Sequence, residues 1–301
     1  MFFKYFNQIP LGLRYIVLSA LGFALMTSFV KLVNNHQIPV FEIVAVRSIV
    51  SLVLSYADIK RKRIPALGHN HKLLFARGAV GTLALICVYF SVTTLPLAEA
   101  TILQYVHPVF TALLAVIFLK EKVQHSTLIC IVLCLFGLVA IVDPRTAFTS
   151  EANLPLFSVL LALLGAFGSA VAYIIVKQLS KTEDSSVIIL YFPMVALPLS
   201  LVLLGSDFVV PSGQALMLMI FVGIFTQIGQ LGLTKALQHE VASKVTAFSY
   251  IQVVFAMILG AAIFSELPSM WTLIGAGLIL SGALINALGL FDAKLKVKKA
   301  A

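Results

Sequence analysis

The chain has 301 residues, of which 60% are apolar and only 11% charged, with a net charge of +9 and a mean hydropathy of +1.06. A soluble domain carries about 25% charged residues, so this chain has too little polar surface to face water on every side, and the bilayer is its natural solvent. The basic excess is not a nucleic-acid face, because the lysines and arginines sit between apolar runs and form no stripe with interleaved aromatics.

The predicted elements are all helical. Five apolar stretches fall in the first half of the chain: Leu11–Val33, Pro39–Ala57, Leu73–Thr94, Leu97–Leu119 and His125–Val142. Five follow in the second: Pro155–Val176, Val187–Gly205, Gly213–Ala236, Ala242–Ser265 and Pro268–Leu290. Each is near the roughly 20 residues that span a bilayer. The first is too long for the apolar core of a signal peptide and is read as a spanning helix. Pro96 separates the third helix from the fourth. Cys87, Cys130 and Cys134 lie inside these stretches without zinc-type spacing and read as small packing residues.

With the N-terminus placed in the cytoplasm, all the Lys and Arg residues except Lys31, Arg47 and Arg145 fall on the inner side. That bias predicts both termini inside, ten helices, and a multi-pass protein of the cytoplasmic (inner) membrane. Arg61, Lys62 and Arg63 read as a cluster facing lipid headgroups.

The sequence also repeats itself. At an offset of 145, Glu121 maps onto Glu266, Thr101 onto Thr246, Tyr105 onto Tyr250 and Gly137 onto Gly282. At 146, Gly22 maps onto Gly168 and Lys31 onto Lys177. Residues 1–145 and 146–301 therefore read as two repeats of five helices each, the second closing with a basic tail. Five is odd, so the second repeat enters from the opposite face and the repeats are inverted. Glu121 keeps its flanking lysines on the predicted inner side, whereas Glu266 lies between Ser265 and Leu267 on the predicted outer side.

There is no Walker A loop, HExxH or GxSxG, so an enzyme is not expected, and no cofactor or metal is called for. Polar residues form stripes instead. The fourth helix carries Thr101, Gln104, Tyr105, His107 and Thr111; the ninth repeats the pattern with Thr246, Ser249, Tyr250 and Gln252. Polar groups in hydrocarbon need partners or a wet cavity. The stripes therefore read either as packing glue or as walls of one substrate cavity, to which Tyr89, Gln227 and Gln230 would add. The aromatics among them lean weakly toward an aromatic or heterocyclic substrate. His107 is a candidate to relay a coupling proton, against the alternative of a neutral, hydrogen-bonded histidine. Pro108 frees a backbone carbonyl and should kink the fourth helix. Arg47, about 12 Å into the second helix, either neutralises a substrate carboxylate or holds the fold. Glu42 is expected to meet Lys31. Glu121 and Glu266 are read as anchors at helix ends, with gate locking as the other reading.

Four segments carry a family resemblance: Arg77-Gly78-Ala79-Val80-Gly81, Leu97-Ala98-Glu99-Ala100-Thr101, Pro108-Val109-Phe110 and Leu119-Lys120-Glu121-Lys122. Together they resemble the EamA family of the drug/metabolite transporter superfamily, and around Arg77–Lys122 the chain is similar to the G branch of solute carrier family 35. The second copy departs from the pattern, with Val253 where the proline would stand. The resemblance implies ten helices in inverted halves and a central cavity that moves small metabolites by alternating access. Family members export amino acids, import riboflavin or carry S-adenosylmethionine. The expected function is thus a secondary transporter of a small organic metabolite, with a coupling proton and the lipid bilayer as further partners. The alternative is a non-transporting membrane scaffold or a subunit of a lipid-modifying enzyme. Oligomeric state has no signal in the sequence.

Overall fold

A computed structural model gives the fold, and it describes residues 10–95, 100, 103–141, 155–265 and 268–289. Thr101 and Glu266 of the expected site, Pro96, Arg145 and the basic tail lie outside the described residues. The helices are α1 (Leu11–Asn34), α2 (Val40–Lys62), α3 (His71–Thr94), α4 (His107–Leu119), α5 (His125–Ile141), α6 (Leu156–Leu179), α7 (Ser185–Leu204), α8 (Gly213–His239), α9 (Ala242–Phe248), α10 (Ile251–Phe264) and α11 (Met270–Leu288). No strand occurs among the described residues. Eight helical segments there are long and apolar enough to cross a membrane, and α4 and α5 are shorter apolar helices. Large apolar side chains such as Phe75, Phe118, Leu156, Val202 and Met270 stand exposed on the helices, as they do where the solvent is lipid.

The described helices depart from the expected spans in two informative ways. The second helix continues past Ala57 to Lys62. Apolar runs end where the hydrocarbon ends, but helical hydrogen bonding does not, and Lys60, Arg61 and Lys62 in the last turn complement the helix dipole. The ninth expected helix is split at Ser249 and Tyr250 into α9 and α10.

The chain forms two compact units, each drawing on both halves of the sequence. Residues 1–82 and 175–239 make one, and residues 83–174 and 240–301 the other.

In the first unit, α1 packs on α8, and α2 on α7 and α8. The α1–α8 seam is made of small residues. A Cβ on Gly22 would lie 2.8 Å from the backbone nitrogen of Gly229, and one on Gly232 would lie 2.7 Å from the carbonyl of Tyr15. The Ser19 hydroxyl donates to the Gly229 carbonyl at 2.7 Å. Close backbone approach of this kind is how helices associate where no hydrophobic effect separates them from lipid.

The loops of this unit are tied by carboxylates. Lys62 bridges Asp58 and Asp184 at 2.8 and 2.9 Å, and Asp184 caps α7 through the Ser186 N–H. Glu183 accepts the backbone N–H groups of His69 and Asn70 at 2.8 and 2.7 Å. Burial alone would raise the Glu183 carboxyl, but those two donors and the His69 ring outweigh it and hold it below its ordinary value. A carboxylate depressed in the folded state stabilises above the unfolded pKa, about 4.3, and loses that contribution as pH falls through the folded value. At neutral pH Glu183→Gln should therefore cost about 1–3 kcal/mol. In thermal unfolding, that gap to the parent protein should hold above about pH 4.3 and close only below it, as pH falls through the depressed folded value; a gap indifferent to pH would show that the charge of Glu183 is immaterial.

In the second unit, α5 packs along α11, α4 against α9, and α10 against α11. Gly137 and Gly275 set the α5–α11 distance, each lying against the other's carbonyl oxygen. Thr127 donates to Asn286 at 2.9 Å beneath them. Cys130 and Cys134 are fully buried in this seam, as small packing residues should be.

Candidate substrate-binding site

Two polar clusters occur on the apolar helices, one in each unit. The cluster of the second unit begins with Pro108. Proline has no N–H to donate, and α4 starts only at His107, after a turn at Tyr105 and Val106. Val109 bonds to the Val106 carbonyl at 2.9 Å, so the Tyr105 carbonyl has no helical partner. The hydroxyl of Tyr250 supplies one, donating at 2.7 Å. Its ring stacks on Tyr105 with centroids 5.8 Å apart, and the residue is completely buried.

The break between α9 and α10 lies at the position 145 residues later. There the Val253 N–H bonds to the Tyr250 carbonyl at 3.0 Å, and the Ser249 hydroxyl takes the Thr246 carbonyl at 2.6 Å. No proline causes this break. A serine hydroxyl competing for a helix carbonyl does, which is a weak signal in sequence. The helix ends also correspond: Lys120 and Ser265 are both left-handed caps.

His107 is buried, and its ring meets Tyr173 edge-on at 5.4 Å. Its Nδ1 has no hydrogen-bond partner among the described residues. Tyr89, Gln104 and Gln252 are half-buried. Thr246 is fully buried and turned back on its own helix, donating to the Ala242 carbonyl at 3.0 Å. Glu121 lies at the start of α9, where both its oxygens accept the Ala242 N–H at 3.0 and 3.1 Å. A carboxylate at a helix N-terminus is favoured by about 0.3–1 kcal/mol. The helix it serves is α9, brought there by tertiary packing, and not the one next to it in sequence.

The cluster of the first unit gathers Arg47, Arg77, Phe192, Gln227 and Gln230. Arg47 and Arg77 are buried, and their guanidinium carbons lie 5.8 and 5.3 Å from the centroid of the same Phe192 ring. Arg77 donates to Gln230 Oε1 at 3.3 Å. Gln227, 4% exposed, donates to Ser55 at 2.8 Å. Arg47 reaches only the Met26 sulfur, at 3.9 Å, and its Nε has no hydrogen-bond partner among the described residues. Glu42 is taken by the Val209 N–H at 3.0 Å, where Lys31 was the expected partner. A central arginine costs about 2.5–3.5 kcal/mol on insertion scales, and an aromatic ring returns about 0.5–2 kcal/mol.

Arg77, Phe192, Tyr173 and Ser55 were not among the expected site residues. Arg77 was assigned to the cytoplasmic charge belt, yet it is 4% exposed. Its signal is the spacing of the neighbouring glycines. Gly78 brings α3 against the Tyr191 carbonyl, and Gly81, one turn on from Arg77, leaves room for its guanidinium and for Phe192.

An all-helical, multi-pass chain with broken helices and polar clusters inside its spans is built as a membrane transporter is. The EamA-like transporter family model matches residues 10–143 and 156–288. The chain belongs to the EamA-like transporter family. It is 31% identical to the pseudopaline exporter CntI of Pseudomonas aeruginosa over 269 residues, covering 89% of this chain and 93% of that one. It is 32% identical to human solute carrier family 35 member G1, covering 88% of this chain and 76% of that protein. One crystal structure shares the fold with a TM-score of 0.80 at 17% identity, over 93% of this chain and 98% of the other.

Proposed function

We propose that the protein is a secondary transporter that moves a small organic metabolite across the cytoplasmic membrane by alternating access. In this reading it has ten spanning helices in two inverted repeats, residues 1–145 and 146–301, with both termini in the cytoplasm. The observation that carries it is the pair of helix breaks at Tyr105 and Tyr250, 145 residues apart. Interrupted helices free backbone polar groups in a span, and transporters place such groups where the substrate sits. Separate family matches to the two halves support the repeat.

The substrate contacts in this reading are Tyr89, Thr101, Gln104, Tyr105, His107, Gln227, Gln230, Thr246, Ser249, Tyr250 and Gln252, and the aromatic members suit a flat ring. Arg47, Glu121 and Glu266 govern charge and gating, and His107 carries the coupling proton. The chain performs no chemistry on what it moves.

Pure protein in sealed proteoliposomes should move at least one member of a panel of amino acids, flavins, nucleosides and S-adenosylmethionine down its gradient without ATP. Movement should saturate with concentration. Currents in single-channel recordings, or no flux for the whole panel, would overturn the reading.

A further inference from the structure

Arg47 is a buried cation with no carboxylate partner among the described residues. It is 7% exposed, about a third of the way along α2. Its contacts are a thioether sulfur, a weak acceptor, and the edge of the Phe192 cluster. None of the described carboxylates of its unit pairs with it: Asp58 and Asp184 hold Lys62, Glu183 holds the loop at His69, Asp207 is exposed, and Glu42 accepts the Val209 N–H through Oε2 while its buried Oε1 has no hydrogen-bond partner among the described residues. The adjacent Ser48 hydroxyl, 1% exposed, is a second buried donor without a hydrogen-bond partner among the described residues. A guanidinium held in a span is stabilised by a counter-charge, and no described carboxylate of this unit forms an ion pair with Arg47.

We propose that the missing counter-charge is the carboxylate of the transported metabolite. This deepens the proposed function and rests on it. The planar fork of arginine matches a carboxylate with two parallel hydrogen bonds. Gln230, held by Arg77, offers an amide nitrogen for a polar group of the same ligand.

The test uses the full chain in proteoliposomes and matched probes. Anthranilate, histidine and citrate are each assayed beside their amides or methyl esters, with riboflavin and adenosine as uncharged probes and pyridoxal 5′-phosphate as the phosphate ester. Thermal shift is recorded for every probe, because a ligand that binds the folded state stabilises it. At least one free acid should shift and be moved while its amide or ester is not. Arg47→Gln should weaken its apparent affinity tenfold or more, and Arg47→Lys should restore part of the loss. The acid-against-amide comparison needs only the parent protein, so a poorly folding variant does not remove the test. Flux of riboflavin or adenosine with no preference for acids, selection of the phosphate ester over every carboxylate, or unchanged affinity in Arg47→Gln would each overturn the carboxylate site and leave transport standing. No flux and no shift with any probe would overturn both.

Discussion

Alanine at Gly275 is expected to lower the unfolding free energy by about 1–3 kcal/mol, the largest loss from any single added methyl group in the second unit. The reason is what the methyl would strike. A Cβ on Gly275 meets the Gly137 carbonyl and the Ile141 backbone nitrogen, the latter at 3.0 Å. Backbone of a packed helix cannot rotate away as a side chain can, so α5 and α11 would have to separate. That separation would also pull Thr127 from Asn286 and loosen the buried sulfurs of Cys130 and Cys134. Alanine at Gly277, two residues on, is the internal control, since its Cβ would meet nothing within 4 Å. There the better helix propensity of alanine should leave stability unchanged or raise it by up to about 1 kcal/mol. Thermal unfolding of both variants in one detergent decides the matter. Equal behaviour of the two would mean that the glycine contact does not set the helix distance.

Tyr250→Phe is expected to destabilise by about 1–3 kcal/mol, the cost of stranding a buried acceptor. The ring and its stack on Tyr105 remain, so the loss isolates the bond from the Tyr250 hydroxyl to the Tyr105 carbonyl at 2.7 Å. Tyr105→Phe keeps both the carbonyl and the stack, and it should destabilise less than Tyr250→Phe because no buried acceptor is stranded. The pair separates support from contact. If Tyr105 touches substrate, Tyr105→Phe should change KM while moving the unfolding midpoint less than Tyr250→Phe does. A Tyr250→Phe protein as stable as the parent would show that water or another donor serves the kinked carbonyl.

Most of the spans were legible in the chain because hydropathy is a local property, averaged over a window as long as the bilayer is thick. The Pro108 kink was legible for a similar reason, since a missing N–H is written in one residue. The break at Ser249 was not, because it depends on which carbonyl a serine hydroxyl selects. The partners of the buried charges were also beyond reach. Sequence position suggests Lys31 as the partner of Glu42, yet the backbone of Val209, 167 residues away, holds it. Arg77 looked like one more basic residue of a helix end, until the glycines of α3 and the ring of Phe192 were seen to give its side chain a place inside.

By itself, the sequence determined that this protein lives in a membrane, that it is helical, and that its two halves share a motif, because composition and periodicity answer to the solvent and to the chain's own pattern. Only the tertiary structure decided which polar groups satisfy one another: Tyr250 with Tyr105, Glu121 with the start of α9, Arg77 with Gln230. It also left Arg47 without a carboxylate among its described neighbours. Such pairings join residues more than a hundred positions apart, and in hydrocarbon, where water cannot stand in for a missing partner, they decide where a substrate can be held.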